Sequence, residues 1–122
     1  MTKTRLVIRA ISAWGVPNIR TWEPPDPKQF AEVITLNIGF RANSGSDIFS
    51  IRVATPAGLG AMSSKNGVIA TRPLLIVDEY DYENLAKWLE ATVAECDSEV
   101  WTEAVEKLRR YFDWEFDGYS ER

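Results

Sequence analysis

The sequence predicts an α+β domain: an antiparallel sheet of about four to five strands with two C-terminal helices packed on one face. Three observations carry that expectation. Apolar residues recur with a period of two in segments of the first half. They recur at helical spacing in two segments of the second half. Strand-like segments all precede helix-like ones, which segregates the helices to one side of the sheet. Residues 1–122 read as a single domain, long enough to bury a core without disulfides or metal.

Residues 5–13 read as the first strand. Leu6, Ile8 and Ala10 alternate with Val7, Arg9 and Ile11, so both faces are partly apolar, as suits a well-covered strand. Residues 14–29 are irregular, because Pro17, Pro24, Pro25 and Pro27 remove amide donors and fix the backbone. Trp14 and Trp22 flank this stretch and are placed to pin it to the domain. Residues 32–42 alternate cleanly, with Ile34, Leu36, Ile38 and Phe40 on one face. Asn43-Ser44-Gly45-Ser46 reads as a hairpin turn, and residues 47–55 return with Phe49, Ile51 and Val53 on one face.

Thr55-Pro56-Ala57-Gly58-Leu59-Gly60 ends that strand. A long connection to about residue 71 follows, with a turn marked by Ser63, Ser64, Asn66 and Gly67. Pro73 then opens a short apolar strand over residues 74–77.

Asp81 is the expected N-cap of the first helix, with Tyr80 placed to staple against Leu85. Leu85, Trp88, Leu89, Thr92, Val93 and Cys96 form its apolar stripe. Asp97-Ser98 ends this helix and caps the next, whose stripe is Trp101, Ala104, Val105, Leu108 and Phe112. Lys107, Arg109 and Arg110 fall in its last turns, where cations favour the helix dipole. Residues 113–119 alternate acid with aromatic and read as a short final strand or a packed extension.

Charge is distributed unevenly. Residues 1–77 carry nine Lys/Arg against four Asp/Glu, and residues 78–122 carry five against fourteen. The second half is thus strongly acidic, which points to a basic partner. Nucleic acid is not expected, since the basic residues are scattered and the acidic half repels phosphate. A membrane is not expected either, because no apolar run approaches the roughly 18 residues of a span. Charge interrupts the first residues too early for a signal peptide. Cys96 has no partner for a disulfide, which fits a reducing compartment. The expected location is the cytoplasm.

Catalytic equipment is sparse. With no histidine, the usual general base and the usual imidazole ligand are missing. Cys96 falls on an apolar stripe and reads as a packed, inert thiol. Gly58-Leu59-Gly60 and Ser64-Lys65-Asn66-Gly67 lack the spacing of a phosphate loop, and Ser63-Ser64-Lys65 is weak evidence for a Ser–Lys dyad. No cofactor is expected. The densest acidic cluster is Asp78, Glu79, Asp81 and Glu83. It reads either as acids gathered at a helix N-terminus or as a metal or hydrolytic site. Glu90, Glu95, Glu99, Glu103 and Glu106 lie off the apolar stripes, either for solubility or as a face toward a basic protein. Trp114 and Tyr119, interleaved with Glu115 and Asp117, read as aromatic anchors or as core closure. Five tryptophans are many for this length, and an exposed patch of them would support a homodimer.

The segment Phe49-Ser50-Ile51-Arg52-Val53-Ala54-Thr55-Pro56-Ala57-Gly58-Leu59 resembles a signature region of the immunity protein 8 family. So do the apolar strand followed by Asp78-Glu79-Tyr80-Asp81 and the segment Arg110-Tyr111-Phe112-Asp113-Trp114-Glu115-Phe116. The resemblance covers residues from about 30 to 119. It implies a bacterial immunity protein, encoded beside a polymorphic or contact-dependent toxin, that binds and neutralises its cognate toxin domain. Thr55-Pro56-Ala57-Gly58-Leu59 and Trp114-Glu115 are the family motifs that carry over, as contacts or as structure.

The leading expectation is therefore a non-enzymatic immunity protein that masks a basic, nuclease-like toxin stoichiometrically. Candidate toxin contacts are Asp78, Glu79, Glu83, Glu90, Trp114, Glu115, Asp117 and Tyr119. The alternatives are a small metal-binding or hydrolytic domain using Asp78, Glu79 and Asp81, and a structural adaptor module.

Overall fold

The computed structural model describes residues 4–62, Val68 and residues 72–117. The alternation of the first half builds the sheet. β1 (Leu6–Ala13), β2 (Ala31–Phe40) and β3 (Asp47–Ala54) pair antiparallel in sequence order. Ile34 lies opposite Ile51 and Leu36 opposite Phe49, so the apolar sets of the hairpin share one face. In β1 a bulge at Arg9 intervenes between the pairs Ile8–Ile38 and Ala10–Asn37. The extra residue shifts the phase of the strand. Ile11 and Ala13, opposite Leu36 and Ile34, thereby join Leu6 and Ile8 on the inner face. This explains why β1 reads as apolar on both faces.

The sheet is mixed, not purely antiparallel as predicted. After β3 comes α1 (Pro56–Gly60), then β4 (Leu74–Ile76), which runs parallel to β3 with Arg52 opposite Leu74 and Ala54 opposite Ile76. The connection is long enough to cross over, which a parallel neighbour requires. A short strand near the C-terminus, β5 (Asp113–Trp114), pairs antiparallel with the earlier part of the same edge of β3, placing Trp114 opposite Phe49. The sequence reads the residues of α1 as plain connection, and the structure makes them a short helix. Thr55 caps it by accepting from the Gly58 amide at 3.0 Å, with Pro56 in the first turn.

α2 (Tyr82–Glu95) starts as predicted, with the Asp81 carboxylate accepting from the Glu83 and Asn84 amides at 3.0 and 3.4 Å. Its stripe of Leu85, Leu89, Thr92 and Val93 is buried. α3 (Trp101–Leu108) buries Ala104, Val105 and Leu108 and ends before Arg109, a turn earlier than its stripe suggests. Its N-cap is Val100, with no side-chain cap bond. Ser98, expected to cap it, instead bonds the Glu103 carboxylate at 2.8 Å. Asp97 turns to the sheet: it accepts from the amides of Arg5 and Leu6 at 2.8 and 2.9 Å and pairs with the Arg5 guanidinium at 3.0 Å.

Both helices share one apolar cluster with the inner sheet face, including Ile34, Leu36, Phe49, Leu89, Leu108 and Phe112. The irregular stretch before β2 joins it through Ile19, Trp22 and Phe30. Trp22 packs tilted against Phe30 and edge-on against Tyr80, with ring centroids 5.9 and 5.4 Å away. Trp14 does not pin the stretch; the residue is 95% exposed. The other four tryptophans are half-buried, so the five do not form one exposed patch. The turn expected at Ser63, Ser64, Asn66 and Gly67 lies outside the described residues, as does Tyr119.

Candidate functional site

Where β4 ends, the chain has to leave the sheet and start α2, and acids occupy that junction. The Val77 amide bonds the Ala54 carbonyl at 3.0 Å, extending the parallel pairing by one residue. Asp78 and Glu79 then turn outward and are exposed, Tyr80 turns inward and is buried, and Asp81 caps the helix. Burial, then the neighbouring charges of Tyr82 and Asp81, push the Tyr80 phenol above its ordinary pKa. Its hydroxyl donates to the Ile19 carbonyl at 3.2 Å.

Between β4 and the first turns of α2 lies a cleft of about 530 Å³. Its inner wall is apolar, from Val53, Leu75, Val77, Leu85 and the half-buried Trp88. Its exposed rim is Asp78, Glu79, Asp81 and Asn84. None of the described residues lining it is basic. Among the described residues, Asp78 and Glu79 have no ion-pair partner. An apolar wall with uncompensated acids at its mouth suits a basic surface that also offers an apolar side chain.

The remaining candidates stand elsewhere. Glu83 is exposed in the first turn of α2. Glu90 lines a different cleft, of about 310 Å³, with Ile8, Ile11, Arg20 and Tyr82. Trp114, Glu115 and Asp117 gather at the C-terminal corner, where each is tied to a neighbour. The Trp114 indole donates to Asp47 at 3.0 Å, and its ring meets Phe116 edge-on at 5.2 Å. The Glu115 carboxylate accepts from the Ile48 amide, while its own amide donates to the Ile48 carbonyl at 2.9 Å. Asp117 pairs with Arg109 at 2.7 Å, and that bond and its charge raise the Arg109 pKa.

The Thr55 motif is structural in the same sense. Thr55 is fully buried; its hydroxyl donates to the Lys28 carbonyl at 2.6 Å and accepts from the Phe30 amide at 3.0 Å. Gly58 is required by space, since a Cβ there would stand 2.0 Å from the Phe30 carbonyl oxygen.

The polar and aromatic members Asn84 and Trp88 are not singled out by the sequence: Trp88 falls on the apolar stripe of α2, and Asn84 carries no signal beyond its place one turn after Tyr80. Among the described residues no group of three or more His, Cys, Asp or Glu could hold a metal ion. The metal-site reading of Asp78, Glu79 and Asp81 thus lacks its geometry. Asp81 is instead engaged by the α2 amides and by the Asn84 side chain at 3.3 Å. Cys96 is buried, and burial, followed by Glu95, pushes its thiol up against the opposing effect of Lys107 and Arg110. No helix among the described residues is long and apolar enough to cross a membrane.

No curated protein and no solved structure matches the chain. The family model of Immunity protein 8 matches residues 6–119, taking in β1 and the proline-rich stretch as well as the segments that carry the resemblance. With almost its whole length matched, the chain belongs to the immunity protein 8 family, the non-catalytic immunity proteins that neutralise toxins of polymorphic systems.

Proposed function

We propose that this chain neutralises a basic, nuclease-like toxin domain by masking it stoichiometrically in the cytoplasm, with the cleft between β4 and α2 as the contact surface. The observation that carries the reading is the acid of Asp78 and Glu79, without an ion-pair partner among the described residues, at the mouth of an apolar cleft. Three other candidate or nearby acids, Asp97, Glu115 and Asp117, are by contrast engaged in internal bonds. Uncompensated charge accelerates encounter with an oppositely charged partner and fixes its orientation. The half-buried Trp88 in the wall provides apolar area for a side chain that follows the charge in.

Stopped-flow association with the toxin domain encoded beside the gene tests this. The on-rate should fall about tenfold as salt rises from roughly 0.01 to 0.15 M, where the Debye length shrinks to about 8 Å. The double variant D78N/E79Q should start slower and show a shallower salt slope. An on-rate indifferent to both salt and this variant removes the cleft from the interface.

A further inference from the structure

The Trp14 ring packs on no other ring among the described residues, yet its backbone belongs to a hydrogen-bonded turn. The residue is 95% exposed. Beneath it, the Val16 amide donates to the Ala13 carbonyl at 3.1 Å, and residues 13 and 16 form an isolated bridge. Gly15 takes φ of 77°, the left-handed value that a tight turn needs at this position and that glycine adopts without strain. The turn is braced from both sides. Ala13 is buried opposite Ile34, and the Ile19 carbonyl is held by the Tyr80 hydroxyl. A lone exposed leucine would mean little. A tryptophan projecting from a braced turn stands on backbone that is already ordered, with little loop entropy left to lose on binding.

The turn stands at the same end of the sheet as the acidic cleft. The antiparallel and parallel pairings place the last residues of β1, β3 and β4 together, with the first residues of β2. Three strand spacings separate β1 from β4, on the order of 15 Å. A standard interface covers about 800 Å² per partner, a patch roughly 30 Å across, so one partner spans both. The proline-rich crossing between them carries the exposed acids Glu23 and Asp26 beside the exposed cations Arg20 and Lys28, so it leaves the net acid of this end to Asp78 and Glu79.

Resting on the function proposed above, we propose that Trp14 is the aromatic anchor of the toxin complex, its indole entering an apolar pocket on the basic toxin domain while the acids of this end meet the surrounding cations. The experiment compares W14A and W14F with the unaltered chain, using the toxin domain encoded beside the gene. Trp14 supports no packing, so the thermal midpoint of W14A should match that of the unaltered chain. Its Kd should rise at least about 30-fold, mostly through a faster off-rate, with W14F intermediate. Radical footprinting should show Trp14 oxidised in the free protein and protected in the complex. If the unaltered chain binds and D78N/E79Q weakens it, but W14A keeps full affinity, the anchor is overturned and the proposed function stands. If the unaltered chain fails to bind, both fall. A dimer in sedimentation that W14A converts to monomer, with toxin affinity unchanged, also overturns the anchor and assigns the indole to self-association.

Discussion

The amide of Tyr80 donates to the carbonyl of Pro27 at 2.7 Å, joining the acidic loop ahead of α2 to the proline-rich crossing between β1 and β2. The Tyr80 ring adds to the joint by packing on Phe30 and Trp22, at centroid distances of 4.7 and 5.4 Å. Asp78, Glu79 and Asp81 therefore project from a loop whose central residue is fastened at both its backbone and its side chain. Acids held this way need little ordering when a partner arrives.

Tyr80 is the fastening that mutation can grade. Tyr80→Phe keeps the ring and leaves the buried Ile19 carbonyl without its donor, which should cost about 1 kcal/mol. Tyr80→Ala also removes the ring and should cost about 3–5 kcal/mol. Urea unfolding at neutral pH reads both. Equal losses in the two variants would show that the aromatic packing contributes nothing.

The Thr55-Pro56-Ala57-Gly58-Leu59 motif should respond as a joint in the frame. Thr55→Ala deprives the buried Phe30 amide and Lys28 carbonyl of their partner and uncaps α1, for a loss of about 2–4 kcal/mol. Thr55→Ser retains the hydroxyl and should recover most of it. Gly58→Ala pushes a methyl into the Phe30 carbonyl and should reach or exceed the roughly 1–3 kcal/mol of ordinary overpacking. Soluble yield and urea midpoints check these, and a Gly58→Ala midpoint equal to wild type would contradict the close approach.

Much of this frame was legible because local pattern and tertiary demand agree. The β2–β3 hairpin, the Asp81 cap and the α2 stripe each follow from one face being buried. Three features were not legible, each for a physical reason. The Arg9 bulge inverts the alternation of β1, and nothing local announces where an extra residue enters a ladder. The parallel direction of β4 depends on a crossover, while its apolar run reads alike in either orientation. Asp97 resembles a helix cap by its neighbours but bonds β1, over ninety residues away. The acidic loop was visible as charge; that Trp88 stands in the same cleft is a product of the fold. Charge density likewise could not separate Asp78 and Glu79 from Glu115 and Asp117, whose bonds are set by β5 docking on β3.

That last distinction is measurable. Glu115→Ala should cost about 1 kcal/mol of stability, since the Ile48 amide loses its carboxylate. The pair E115Q/D117N should alter the salt slope of toxin association less than D78N/E79Q, although each pair removes two charges. Equal slopes would mean that net charge alone, without location, governs encounter.

Asp97 should set the acid limit of the fold. Partial burial pulls its carboxyl pKa upward, but the Leu6 and Arg5 amides and the Arg5 guanidinium outweigh that, and the folded value lies below the usual one. A depressed folded pKa means that the unfolded chain takes up the proton more readily. The contribution is complete above the unfolded value of about 3.9, and it drains away as pH falls through the lower, folded value. Asp97→Asn should thus lose about 1–3 kcal/mol at pH 7, the worth of charge-assisted bonds to two amides and a guanidinium. It should also lose less than wild type between about pH 5 and pH 2. Urea unfolding across that range gives both slopes. Parallel curves for the two proteins would mean that the clasp between β1 and the α2–α3 junction holds without its charge.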